Sequence, residues 1–367
     1  MQRLIWTVLA AFAMAMVLGP RMLVWLKKLK FGQTIYELEP DSNKKKQGTP
    51  TMGGMIFAIP ALIAAIAFAY NDTRFDFLLM ILVCALGFGA VGFVDDFIKV
   101  KLKRSLGLTP KQKLIPQIVL AIGLSVWAYL NPAIGSKWIV PFANVEWNLG
   151  IAFIPVMVFV LVGTVNSANL LDGLDGLCGG CSLVDYATFA LIAIAMAAGN
   201  NANRSNLMNV AIFSCAMAGG LLGFLRFNAH PARVFMGDVG SFFVGGGLAG
   251  IALVTRLSLL LPIVALAMLM SSLSDIIQIS HFKRTRKKTG AGQRVFRDLL
   301  ADHVLSGLGA HIRIVRGKYH TGFTAERLGD PLHVHRRGNV RAAMTDEYAN
   351  SLHSAPLLTS YICGTRW

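Results

Sequence analysis

Residues 77–97 read FLLMILVCALGFGAVGFVDDF, an apolar run that closes on two adjacent carboxylates, Asp95 and Asp96. A helix rises about 1.5 Å per residue, so a run of this length can cross a hydrocarbon core about 30 Å thick. The apolar residues do not alternate with polar ones, as they would in a strand of a membrane barrel. This stretch therefore predicts a membrane-spanning helix with two acidic residues at one end.

The rest of the chain has the same character as this stretch. Hydrophobic residues make up 54% of the 367 residues and charged residues only 15%, against roughly 25% charged residues in soluble domains. We therefore predict an all-α, polytopic membrane helix bundle of about nine transmembrane helices, with catalytic loops on its cytoplasmic side. The predicted spans are residues 4–25, 52–70, 77–98, 114–130, 150–165, 183–199, 208–225, 239–255 and 257–280.

Basic residues in the connections between these spans orient the bundle. Fifteen lysines and arginines fall on one side and five on the other. Because cytoplasmic loops carry the excess of basic residues, the first side is predicted to be cytoplasmic. A net charge of +16 on a soluble protein would suggest nucleic acid. Here the basic residues concentrate on one side of a predicted membrane bundle, so we expect the lipid bilayer as a partner and no nucleic acid.

The pattern changes after residue 280. Residues 281–367 carry 15 basic and 6 acidic residues and contain no further run of spanning length. We therefore divide the chain into a multi-span transmembrane catalytic domain, residues 1–280, and a basic cytoplasmic loop and carboxy tail, residues 281–367. We expect this second part to be poorly ordered.

Carboxylates recur on the predicted cytoplasmic side in three separate connections. Asp95 and Asp96 close the third span, Asp172 and Asp175 follow the fifth, and Asp238 follows the seventh. Any one of them could be a solvated helix end or part of an Asp-Gly turn. Acidic residues at the membrane are costly, however, and their convergence on one face indicates a functional site.

Carboxylates beside lysines are typical of phosphate chemistry with a divalent ion. Mg²⁺ binds one or two carboxylates together with phosphate oxygens and water, and phosphoryl transfer mainly needs positioning and neutralisation of charge. Asp95 and Asp96 should point about 100° apart on a helix, so we expect them to divide their roles. The alternative of a transporter predicts ionisable residues near mid-span, whereas these acids lie at the inner ends of the spans.

Four motifs in this order resemble those of a known family. They are residues 48–54 (GTPTMGG), 92–96 (GFVDD), 166–176 (NSANLLDGLDG) and 235–241 (FMGDVGS). Over residues 1 to about 297 the chain resembles the phospho-N-acetylmuramoyl-pentapeptide transferases, a branch of the polyprenyl-phosphate N-acetylhexosamine-1-phosphate transferases. The resemblance implies Mg²⁺-dependent transfer of phospho-MurNAc-pentapeptide from UDP-MurNAc-pentapeptide to undecaprenyl phosphate. The products would be lipid I and UMP, for peptidoglycan synthesis at the bacterial plasma membrane.

The resemblance also implies roles for individual residues. Asp238 matches the principal Mg²⁺ ligand, and Asp95 matches a base that deprotonates the lipid phosphate, with Asp96 in support. The sequence leaves direct attack and a covalent aspartyl intermediate open, and it leaves a homodimer open. The positions that match substrate-binding residues are Lys46, Thr51, Lys99, Lys111, Asn169, Asp172, Asp175, Asn228, Phe235 and His303.

Two alternatives lie within the same superfamily. One is a transferase that takes UDP-N-acetylglucosamine as its donor. The other is a catalytically impaired member, because the family pattern ends at Arg297. In the family this position precedes a loop with three consecutive histidines and a tenth span. Only His303 of this chain falls in register with those histidines.

Overall fold

The computed structural model describes residues 1–28, 49–70, 76–101, 107–143, 145–199 and 202–289. From residue 278 onward, side chains are described only at 280, 281 and 284. The chain divides into two compact units, one of residues 1–36 and 46–271 and the other of residues 37–45 and 272–367. The described part of the second unit is the carboxy-terminal part of the last helix.

Within these ranges the chain forms ten α-helices and one small sheet. Strands β1 (Lys137–Val140) and β2 (Val145–Asn148) pair as an antiparallel hairpin, and a 3₁₀ turn (Gly150–Ala152) follows them. The helices are α1 (Gln2–Lys28), α2 (Met55–Phe68), α3 (Asp76–Lys101), α4 (Pro110–Leu130), α5 (Phe153–Leu171), α6 (Leu177–Gly199), α7 (Arg204–Asn228), α8 (Gly237–Thr255), α9 (Leu261–Val264) and α10 (Leu266–Thr289).

Seven of the described helices are long and apolar enough to cross a membrane: α1, α3, α4, α5 with its preceding 3₁₀ turn, α6, α7 and α8. The chain is therefore a multi-pass membrane protein, and the prediction of a polytopic α-helical bundle is confirmed. Two of the nine predicted spans are shorter than expected. In residues 52–70 a turn at Gly53 and Gly54 precedes α2, so the helix begins only at Met55 and has 14 residues. Residues 257–280 are interrupted at Ala265, between α9 and α10.

Helix α8 lies at the centre of the bundle. Every residue from Asp238 to Thr255 is buried, and the helix packs mainly against α3 and α5. Three consecutive glycines, residues 245–247, allow neighbouring backbones to approach closely, as small residues do in membrane helices. The C-terminal end of α3 meets the N-terminal end of α8 in this packing. Two of the motifs found in the sequence therefore come together.

Candidate active site

Three carboxylates meet where α3 ends and α8 begins. Asp95 and Asp96 lie in the last two turns of α3, and Asp238 is the second residue of α8. Each offers an oxygen within 4.8 Å of the others, and none is more than 4% exposed. Buried like charges at this separation are costly unless cations or a metal ion compensate them. This carboxylate cluster is the centre of the candidate site.

Two glycines make this close approach possible. A Cβ on Gly92, in α3, would collide with the backbone carbonyl of Asp238. Gly237 has a φ of +74°, which favours glycine, and a Cβ there would collide with the Asp96 carboxylate and the Thr51 hydroxyl. Gly92 of the second motif is therefore required because a larger residue would not fit. Gly237 of the fourth motif is required for the same reason and for its positive φ.

Lysine side chains neutralise the cluster. The Nζ of Lys99 lies 2.6 Å from Asp95 Oδ2 and 3.6 Å from Asp96 Oδ1. The same Nζ lies 2.9 Å from Asp238 Oδ2. The Nζ of Lys113, from α4, lies 2.6 Å from Asp238 Oδ2 and 3.7 Å from Asp95 Oδ2. Two cations therefore stand among three carboxylates.

Asn169, near the end of α5, holds the other side of Asp238. Its Nδ2 donates to Asp238 Oδ1 at 2.7 Å and to Ser241 Oγ at 2.9 Å. Lys99 and Lys113 both contact the Oδ2 of Asp238. Both oxygens of the Asp238 carboxylate are thus held, Oδ1 by a residue of α5 and Oδ2 by residues of α3 and α4.

Asp95 and Asp96 face different neighbours, as their adjacent positions on a helix predict. Asp95 Oδ1 accepts a hydrogen bond of 2.7 Å from the backbone N–H of Leu108. Asp95 Oδ2 makes ion pairs but no aligned hydrogen bond. Asp96 Oδ2 instead accepts from the backbone N–H of Val239, in the first turn of α8, at 3.1 Å. Asp96 therefore joins α3 to α8, whereas Asp95 contacts the backbone of Leu108 and the two lysines.

Asp172 lies next to the cluster in the loop between α5 and α6. Its carboxylate is partly buried and accepts a hydrogen bond from the backbone N–H of Gly237. Burial, followed by the negative charges of Asp238 and Asp96, raises the pKa of Asp172 well above its usual range. Asp172 therefore adds a fourth acidic group beside the cluster.

Asp175 and Asn228 organise the loop between α7 and α8. An oxygen of Asp175 lies 3.1 Å from Nδ1 of His230. Asn228 accepts a hydrogen bond from the backbone N–H of Gly176 at 3.1 Å and donates one to the Val234 carbonyl at 2.9 Å. Both side chains contact protein groups, and these contacts hold the segment that leads into α8.

Thr51 and Phe235 join the first motif to the fourth. The backbone N–H of Phe235 donates to the carbonyl of Pro50 at 2.9 Å, and its carbonyl accepts from the N–H of Gly53 at 2.8 Å. Thr51 is buried beside Gly237. The ring of Phe235 is partly buried. Thr51 therefore lies beside the cluster, and the backbone of Phe235 ties the first motif to the fourth.

Lys113 contacts the cluster although it is not among the residues that the sequence predicts for the site. The predicted residue is Lys111, which is exposed at the start of α4 and makes no described contact with the cluster. Lys113 lies four residues before Gln117, where the buried stripe of α4 begins, so the two side chains share the inward face of the helix. Of the other three predicted basic residues, Lys99 contacts the cluster, and Lys46 and His303 lie outside the described residues.

Asp185 was also missed. Helix α6 begins at Leu177, six residues before the predicted span, so Asp185 lies inside the helix and not near its end. Its side chain is buried, and its Oδ2 has no hydrogen-bond partner among the described residues. The acids of the described chain are therefore not confined to span ends. Asp185 is not a member of the carboxylate cluster.

Most of the chain is similar in sequence to known proteins. Residues 78–256 match the model of glycosyl transferase family 4. A protein of Thermoanaerobacter sp. (strain X514) is 42% identical over 297 residues, which cover 81% of this chain and 88% of the relative. A protein of Bacillus subtilis (strain 168) is 41% identical over 298 residues, or 81% of this chain and 87% of the relative. Both relatives are named phospho-N-acetylmuramoyl-pentapeptide-transferase.

Proposed function

The chain belongs to the phospho-N-acetylmuramoyl-pentapeptide transferase family, and we propose that it transfers phospho-MurNAc-pentapeptide from UDP-MurNAc-pentapeptide to undecaprenyl phosphate. It is a phosphoglycosyl transferase, and its family implies a nucleotide sugar and a polyprenyl phosphate as substrates. The observation that carries the proposal is the buried cluster of three carboxylates and two lysines at one end of a membrane-spanning bundle. A lipid phosphate and a water-soluble nucleotide can meet at such a position.

We place the enzyme in the bacterial plasma membrane with its site facing the cytoplasm. The sorting of basic residues supports this orientation, because the cluster lies at the end of the bundle that carries the basic excess. The C-terminal turns of α1 and α3, for example, carry Lys27, Lys28, Lys99 and Lys101. Nucleotide sugars are made in the cytoplasm, which agrees with this placement.

The proposed reaction exchanges one phosphoanhydride bond for another. An oxygen of undecaprenyl phosphate attacks the β-phosphorus of the nucleotide sugar, and the bond from that phosphorus to the bridging oxygen breaks. UMP leaves with the bonding electrons, and the lipid acquires the pyrophosphate of lipid I. We assign Asp95 as the acceptor of the proton of the lipid phosphate, as the family resemblance implies for this position, with Lys99 and Lys113 beside its Oδ2.

The donor set of the cluster fits Mg²⁺. Carboxylate oxygens are the hard ligands that Mg²⁺ prefers, and Mg²⁺ uses one or two carboxylates together with substrate phosphate and water. Asp238 would be the principal ligand, with Asp95 or Asp96 as the second. Bound there, the ion would neutralise charge on the pyrophosphate and make its phosphorus more electrophilic.

The lysines would bind phosphate oxygens. Lys99 and Lys113 already lie within ion-pair distance of Asp238, so a phosphate that enters the site meets two positive charges without a large rearrangement. Pre-positioned charge of this kind is usually the largest contribution to phosphoryl transfer. Asn169 would keep the Asp238 carboxylate oriented while these cations engage substrate.

A donor-choice assay tests the proposal. The purified full-length chain would be supplied with undecaprenyl phosphate in detergent micelles and with either UDP-MurNAc-pentapeptide or UDP-N-acetylglucosamine, and UMP release would be measured. We expect turnover with the muramoyl donor only, loss of turnover with EDTA and recovery with added Mg²⁺. The names of the relatives do not favour the N-acetylglucosamine donor. Preference for that donor, or no turnover by a folded chain, would contradict the proposal.

A further inference from the structure

The β1–β2 hairpin lies at the end of the bundle opposite the carboxylate cluster. Helix α4 runs from Lys113, beside the cluster, to Leu130, about 26 Å further along at 1.5 Å per residue. Helix α5 then returns from Phe153 to Asn169, which contacts the cluster. The hairpin connects these two helices, so it lies near the membrane surface that does not carry the carboxylates.

The hairpin has one apolar face. Its register pairs Trp138 with Trp147 and Val140 with Val145, and paired residues project from the same face of a sheet. Trp138 is only 4% exposed, so the base of this face is packed into the protein. Trp147 is 56% exposed, and Val145 is exposed as well. The protein therefore covers the apolar face at Trp138 and leaves it exposed at Val145 and Trp147.

Phe142, in the turn between the strands, extends this apolar surface. It is 93% exposed and has a φ of +65°. Bulky residues seldom adopt this backbone conformation, whereas glycine or asparagine adopts it easily. Local stability alone would therefore favour another residue here. An aromatic residue at this position is explained if its ring is covered by something outside the described chain.

Polar contacts hold the hairpin in one position. The backbone N–H of Ile139 donates to the carbonyl of Arg256 at 2.9 Å, just after α8. Glu146 accepts from Arg256 and from Lys137, each at 3.0 Å. Lys137 and Arg256 together lower the pKa of Glu146, which keeps it ionised near neutral pH. These charges lie on the face opposite Trp147, so the hairpin is amphipathic and fixed in orientation.

We propose that Phe142, Val145 and Trp147 insert into the interfacial region of the lipid leaflet at this end of the bundle. Lipid is the occupant that fits, because the hairpin sits between the ends of two membrane-spanning helices. The neighbouring residues Leu130 and Ile151 are also exposed and apolar, so the patch is continuous with the lipid-facing surface. Tryptophan and other aromatic residues favour this depth in membranes. The hairpin thus acts as an interfacial anchor on the side away from the candidate site.

Fluorescence in vesicles tests this anchor. Phe142→Cys and, as the matched control on the polar face, Lys137→Cys would each be made in a chain whose five native cysteines are replaced by alanine. Both variants would be labelled with an environment-sensitive fluorophore and reconstituted in phosphatidylcholine at a high lipid-to-protein ratio. We expect blue-shifted emission at position 142, quenching by lipids with a shallow nitroxide and protection from iodide. The label at position 137 should show the opposite pattern.

Three results would overturn the proposal. Equal iodide quenching at positions 142 and 137 would place the turn in water. A blue shift at position 142 that disappears when more lipid is added would indicate contact with a second copy of the chain. If the cysteine-free chain does not fold, brominated lipids offer a second measurement. The native chain should lose more tryptophan emission to shallow bromines than Trp147→Phe does, and equal losses would reject the anchor.

Discussion

Asn166 of α5 donates a hydrogen bond of 2.7 Å from its Nδ2 to Oε1 of Gln117 on α4. Lys113 lies four residues before Gln117, and Asn169 lies three residues after Asn166. These two residues contact different oxygens of the Asp238 carboxylate. The bond between the two amides therefore sets the register of the helices that hold Asp238 from its two sides.

Gln117→Leu should reduce kcat about 10- to 100-fold, because misplacement of a catalytic group by an ångström can cost about 10²-fold. The KM for each substrate should change much less, since the substitution removes no group of the cluster. Steady-state kinetics of the purified variant checks this. Ser125→Ala is the matched control: Ser125 is equally buried in α4, and its only side-chain bond within the described ranges is to the Ala121 carbonyl of its own helix. Equal kcat values for the two variants would show that the amide bond does not position the site.

The second prediction compares two lysines that are two residues apart. Lys113→Ala should lower kcat by about 10²–10³, the usual cost of removing one group that stabilises the transition-state charge. Lys111→Ala should cost far less, because Lys111 is exposed and makes no described contact with the cluster. UMP release measured at the same ionic strength checks both. Comparable losses in the two variants would mean that Lys111 also meets substrate, as the family resemblance implies.

The third prediction concerns the metal. Asp238→Asn removes a formal charge from the principal proposed ligand, so it should lower kcat about 10²–10³ and raise the Mg²⁺ concentration needed for half-maximal rate. Asp95→Asn should lower kcat comparably but without rescue at saturating Mg²⁺, because it removes a proton acceptor. Mg²⁺ titrations of the rate separate the two roles. An unchanged Mg²⁺ requirement in Asp238→Asn would argue against this ligand.

The fourth prediction concerns packing. Gly92→Ala should destabilise the protein by about 1–3 kcal/mol and reduce activity, because the new methyl group would collide with backbone atoms of Asp238 that cannot move aside. Gly163→Ala is the matched control, since a Cβ there meets no atom within 4 Å. It should raise stability by up to about 1 kcal/mol through helix propensity. Thermal unfolding in detergent checks both, and equal Tm values would contradict the collision.

Much of the fold is predictable because its signals are local. The length of the apolar run in residues 77–97 predicts a spanning helix wherever its neighbours lie, and the structure places it in α3. The family prediction is confirmed by relatives of 41–42% identity. The sequence could predict the family because each of the four motifs is a contiguous stretch. The starts of α2 and α6 were less predictable, because a tight turn or a run of glycines decides where an apolar segment becomes helical.

The residues of the candidate site are only partly predictable from sequence. The sequence by itself predicted that five carboxylates converge on one side of the bundle, those of Asp95, Asp96, Asp172, Asp175 and Asp238. The tertiary structure decided that three of them, Asp95, Asp96 and Asp238, form one cluster. Only the tertiary structure decided that Lys113, and not Lys111, contacts Asp238. The physical reason is that hydropathy locates a helix along the chain, whereas the direction of each side chain depends on how that helix is rotated against its neighbours.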